Sequence, residues 1–215
     1  MTTISAPHTT ALTTELRYLA LGDSYTIGEA ADEAGRWPMQ LARLLRMEGV
    51  LLGDPRIIAT TGWTTDELDA AITAAEPLGQ HDFVSLLIGV NNQYRGRDVE
   101  EYRTQFAALL WRAIGFAGNR PDRVLVLSIP DWGVTPFGAK SGRDVAQIAR
   151  ELDAYNLAAR EACTQRGVAF VDITPVSRAR GAEPAMVADD GLHPSAAMYT
   201  EWARLAFPVA HRLLA

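Results

Sequence analysis

Five residues of the kinds that acyl transfer needs lie in four well-separated segments: Ser24 in "GDSYT", Gly62 in "TTGWTT", Asn91 in "GVNNQY", and Asp190 with His193 in "DDGLHPS". A serine hydroxyl is a weak nucleophile until a neighbouring base takes its proton. A neutral imidazole is suited to that task near neutral pH. A carboxylate then fixes the imidazole's tautomer and stabilises the imidazolium. Asp190 and His193 stand three apart in a segment that also carries Gly191 and Pro194, so one turn can hold both, and the spacing favours Asp190 over Asp189. The developing oxyanion needs two or three preset donors. The candidates are the backbone N–H of Ser24, the backbone N–H of Gly62 and the side-chain amide of Asn91. Gly62 carries no side chain, which lets its amide come close to a substrate. Taken alone, Ser24 reads as a helix cap or turn residue; the other three segments give it a chemical reading.

These segments need a scaffold that brings them to one place. Five short apolar runs, 17–21, 56–59, 83–89, 123–129 and 168–173, alternate with amphipathic stretches. Runs this short and continuously apolar fit strands buried on both faces, as in a parallel sheet. Helices are expected over 37–49, from Thr64 with Glu67 at capping-box spacing, from Asp98 through Ala113, over about 143–166 with Gly167 as stop, and after Pro194. Pro208 is expected to kink or end the last one, because proline removes an intrahelical donor. Strand and helix alternate throughout, so the expected fold is an open α/β sandwich around about five parallel strands. In such a sheet ligands gather at the C-terminal ends of the strands, where Ser24, Gly62 and Asn91 each follow a run.

The bulk composition narrows the function. The 215 residues suit one domain, expected over 15–215, after a Thr-rich flexible tail over 1–14. A net charge of −6, with no compensating run of Lys and Arg, disfavours nucleic acid. The opening "MTTISAPHTTALTTE" has neither the basic nor the apolar region of a signal peptide. No apolar stretch approaches the roughly 20 residues of a membrane span. Cys163 is the sole cysteine and reads as a structural thiol, so a reduced, cytoplasmic setting is expected. Of the four histidines, His8 falls in the tail, His81 precedes a strand and His211 lies in the last helix, and all three read as structural or solvated. No second His/Asp/Glu cluster has metal-ligand spacing, so no metal is expected. Tyr25, Trp63, Tyr94, Trp132 and Phe137 are candidates to line an acyl or aryl pocket. Arg95 and Arg97 read as solvated loop charges.

The quoted pieces "GDS", the Gly of "TTGWTT", "GVNN" and "DGLHP" occur in the order found in the SGNH, or GDSL, esterases and lipases, and the chain resembles that family from Ser24 to its last residue. The resemblance implies a flavodoxin-like three-layer α/β/α sandwich, a Ser-His-Asp hydrolase of small-molecule esters or thioesters, and no cofactor. It assigns Ser24 as nucleophile, Gly62 and Asn91 as oxyanion donors, His193 as base and Asp190 as its orienter. The third block of the family usually reads Gly-x-Asn-Asp, and here Asn92 replaces the aspartate; an amide keeps some of a carboxylate's hydrogen bonds but not its charge. An acyltransferase using the same acyl-enzyme, and a non-catalytic flavodoxin-like binding module, are the competing readings. The second accounts for the sheet but not for the triad and donor set. An α/β-hydrolase elbow is disfavoured, because "GDSYT" lacks the second Gly of G-x-S-x-G.

Overall fold

The computed structural model describes residues 14–215; the tail expected over 1–14, His8 included, lies outside them except for Thr14. Five strands, β1 (Tyr18–Gly22), β2 (Arg56–Ala59), β3 (Phe83–Leu87), β4 (Val124–Leu127) and β5 (Ala169–Val171), form one parallel sheet in the order β2-β1-β3-β4-β5. The three inner strands, "YLALG", "FVSLL" and "VLVL", are buried at every position, while the edge strands β2 and β5 are partly exposed. Burial on both faces explains why the inner strands read as unbroken apolar runs. The two hydroxyls among them, those of Tyr18 and Ser85, meet at 2.9 Å, so neither is left unpaired in the core.

Helices cover the sheet. A four-residue helix α1 (Ser24–Ile27) follows β1, then α2 (Trp37–Met47), α3 (Thr65–Ala75), α4 (Val90–Tyr94), α5 (Val99–Phe116), α6 (Pro136–Lys140), α7 (Val145–Arg166), α8 (Thr174–Arg180) and α9 (Ala196–Leu214). α2 packs on α9, and α5 packs on both α3 and α7. That grouping is what right-handed crossovers produce when the strand order reverses after β2. The α2–α9 contact is pinned by Gln40, whose amide donates to the Ala196 carbonyl at 2.9 Å and whose carbonyl accepts from Thr200 Oγ1 at 2.7 Å.

One expectation from sequence needs correction and another is narrowed. The last run stops being a strand at Val171, because the Ser128 hydroxyl takes over the chain beyond it and accepts from the N–H groups of Ile173 at 2.8 Å and Thr174 at 3.1 Å. Pro208 does not end α9, which continues to Leu214. Pro208 itself is exposed, and the helix is anchored on both sides of it by Trp202, Ala206, Ala210 and Leu214, all buried. Packing holds the helix across the missing donor.

Candidate active site

β1 and β3 lie side by side where the strand order reverses, the position at which doubly wound sheets open a crevice. Ser24 stands there as the first residue of α1. Asp23 caps that helix, its Oδ1 accepting from Tyr25 N–H at 3.0 Å. The turn lies tight against β3: a side chain at Gly22 would run into Thr26 and the Leu87 carbonyl. Asp23 is fully buried. Burial pushes its carboxyl up to about 7, against the pull of the Tyr25 and Gly89 N–H groups.

Asp190 and His193 share one compact loop. Asp190 Oδ1 accepts from the N–H groups of Leu192 and His193, both at 2.9 Å, and Oδ2 lies 2.6 Å from His193 Nδ1. Burial alone would raise the Asp190 carboxyl, but the His193 ring and these two backbone donors hold it below the ordinary value. With Nδ1–H given to Asp190, Nε2 is the lone-pair nitrogen. The loop is closed by Ala188 N–H donating to His193 O at 2.8 Å and by Ser195 N–H donating to Met186 O at 3.0 Å. It is tied to α6 by Phe137 N–H donating to Gly191 O at 2.9 Å. The Tyr25 ring stands edge-on to His193, with centroids 5.9 Å apart, so the residue after Ser24 packs directly on the imidazole.

Gly62 and Asn91 come from the loops after β2 and β3. Gly62 has φ +87°, a backbone state that L side chains rarely adopt. Its carbonyl accepts from Arg95 Nη2 at 2.6 Å, and the next carbonyl, Trp63 O, accepts from Asn91 Nδ2 at 2.9 Å. Asn91 and Arg95, one helical turn apart, thus hold the two successive carbonyls that follow the Gly62 N–H. A primary amide has two N–H bonds, so Asn91 keeps one beyond the bond to Trp63. Arg95 is therefore not the purely solvated charge expected from sequence: it also pairs with Glu67 at 3.2 Å. Arg97 pairs with Asp66 at 2.5 Å.

Asn92 is fully buried and clasps the start of α3. Its Oδ1 accepts from Thr65 N–H at 3.1 Å, and its Nδ2 donates to Thr65 Oγ1 at 2.7 Å, while the Thr65 hydroxyl donates to Gln105. An amide at this position can both accept and donate, which a carboxylate cannot.

Ser24, Gly62, Asn91 and His193 open onto one cavity of about 190 Å³. Tyr25, Tyr94, Trp132 and Phe137 line it as expected; Trp63 does not, its ring packing against the core instead. Sequence reasoning passed over Thr61, Val90 and Leu192, which also line it. Each directly precedes a site residue, and that adjacency was the only signal available. Trp132 is fixed by its Nε1–H donating to Gln93 Oε1 at 2.8 Å. Arg143 lies over the rings of Trp132 and Tyr94, at 5.3 Å and 5.9 Å.

The sheet, the helices on its two faces and the cavity at its switch point define a three-layer α/β/α fold with an open crevice. Residues 20–200 match the GDSL-like Lipase/Acylhydrolase family, and the chain belongs to that family of carboxylic ester hydrolases. Solved structures share the fold at low identity. TesA is 20% identical with a TM-score of 0.70, over 92% of this chain and 99% of that one. The lipase Lip_vut3 from a goat rumen metagenome is 18% identical with a TM-score of 0.72, over 92% and 99%. Axe2, an acetylxylan esterase from Geobacillus stearothermophilus, is 20% identical with a TM-score of 0.68, over 91% and 94%. No curated protein matches the sequence. Among the described residues, no helix is long and apolar enough to cross a membrane.

Proposed function

We propose that this ester hydrolase works through an acyl-enzyme on Ser24, with His193 as base and Asp190 as the group that orients it. Ser24 Oγ attacks the ester carbonyl and gives its proton to His193 Nε2. The imidazolium passes that proton to the departing alcohol, and a water activated by the same nitrogen then releases the acid. The N–H groups of Ser24 and Gly62 and the free N–H of Asn91 receive the oxyanion in both steps. Asp190, held ionised by its donors, stabilises the imidazolium throughout. One observation carries this reading: a serine, an Asp-backed histidine and two amide donors from four distant segments border a single cavity.

A fluorophosphonate tests it. The reagent is expected to add once, to Ser24, and to abolish hydrolysis of p-nitrophenyl acetate; Ser24→Ala is expected to show neither labelling nor activity. Labelling of a different serine, or an active Ser24→Ala, would overturn the assignment.

A further inference from the structure

A second, smaller void lies beneath the floor of the substrate cavity. It measures about 20 Å³, little more than one water needs, and is walled among others by Pro130, Met186, Val187, Met198 and Trp202. Three residues border both spaces: Tyr25, Trp132 and Leu192. They are the partition between them. Tyr25 and Trp132 are buried and braced, the first edge-on against Trp202 at 5.8 Å and the second by its bond to Gln93. Leu192 is the only one of the three that is partly exposed; its backbone is held by Asp190, and its side chain packs against the core. Leu192 is the one aliphatic, partly exposed side chain of the partition.

We infer that Leu192 sets the length of acyl chain the enzyme accepts, and that the native substrates carry short acyl groups of about two to four carbons. The inference rests on the acyl-enzyme reading above. The cavity above the partition has room for about six water-sized atoms, enough for an ester group and a short chain. The inner void lies on the β4 and β5 side of Ser24, reached by loops after those strands, whereas the oxyanion loop of Gly62 follows β2 on the other side. A chain leaving the carbonyl away from the Gly62 loop runs into Leu192. Beyond it, Met186 and Met198 are unbranched side chains that repack readily around an apolar guest, so the space behind the partition can widen once the partition is opened.

The test is kcat/KM on p-nitrophenyl esters from acetate to decanoate, taken as the octanoate-to-acetate ratio within each variant so that a general change in activity cancels. A parallel series of acetate esters with lengthening alcohols serves as control. Wild type is expected to prefer acetate to butyrate and to fall off from hexanoate. Leu192→Ala is expected to raise the ratio about 15- to 60-fold, as two or three further methylenes are buried at about fourfold each. Leu192→Phe is expected to confine the enzyme to acetate, and Val187→Phe added to Leu192→Ala, filling the void from behind, is expected to restore the wild-type ratio. If Leu192→Ala does not fold, Leu192→Val must shift the ratio in the same direction by a smaller amount. Active variants with an unchanged acyl profile, a wild type that prefers octanoate, or a shift confined to the alcohol series would each overturn the inference and leave the Ser24 mechanism standing. A wild type that cleaves no ester of either series would overturn both.

Discussion

Asn91 lines the cavity and braces the Trp63 carbonyl with one N–H, and on the reading proposed above its second N–H is an oxyanion donor. A donor placed for the tetrahedral intermediate favours the transition state over the ground state. Asn91→Ala is therefore expected to lower kcat by roughly 10²–10³ with KM nearly unchanged, in steady-state kinetics on one activated ester. A rise in KM at constant kcat would make Asn91 a substrate-binding residue instead. Asp23 presents a different balance. Its carboxyl titrates at about 7 in the folded protein and at about 3.9 in the unfolded chain. A folded value raised by burial means that its contribution to stability is full below the unfolded value and is lost as pH rises through the folded one. The loss amounts to about 4 kcal/mol over that window. Asn at position 23 keeps the acceptor for Tyr25 N–H and does not titrate. Urea unfolding at pH 4.5 and pH 8 is expected to show wild type losing most of this amount relative to Asp23→Asn; parallel behaviour of the two proteins would refute it.

At the scale of elements, α4 positions the Gly62 loop and α3 is held to α4. Arg95 reaches from the end of α4 to the Gly62 carbonyl. Arg95→Met is expected to lower kcat about tenfold, a fraction of a donor's full worth, with KM little changed. Arg95→Lys is expected to recover part of the loss by keeping one donor, and a purely structural role would instead show as equal loss of melting temperature without the kcat–KM split. Asn92→Asp is expected to destabilise by about 1–3 kcal/mol, because Thr65 Oγ1 loses a buried donor and its hydroxyl is drawn away from Gln105. Thermal melts of the two proteins decide it. The strands and three of the four candidate segments were legible in the sequence together, because buried parallel strands are continuous apolar runs and those three segments sit just after one; the Asp190–His193 segment lies well beyond β5 and was read from its own spacing. The tethers were not. Gln40 reaching α9, Arg95 reaching Gly62 and Asn92 reaching Thr65 join residues far apart in the chain, and no local pattern marks such a pair. Trp63 illustrates the same limit: an aromatic beside a site residue faced the core, because the backbone turn at Gly62, and not proximity in sequence, set its direction.

At the scale of the molecule, Cys163 on α7 is buried, and its thiol is pushed up to about 12 by that burial. Thiolate is the reactive form, so Ellman's reagent is expected to leave the native protein untouched at pH 8 and to react at the rate at which the core opens. Stepwise urea is expected to raise the labelling rate in parallel with loss of circular dichroism; prompt labelling without denaturant would show that α7 opens locally. The α2–α9 contact has a bearing on biosynthesis. As the chain emerges from the ribosome, Ser24 and its cap are made first, while Asp190 and His193 follow β5, just ahead of the helix that must dock on Gln40. On the acyl-enzyme reading proposed above, a nascent polypeptide carries its nucleophile for most of translation without a base to activate it, and hydrolysis is expected to switch on only when the late-made helix closes the molecule onto its early half.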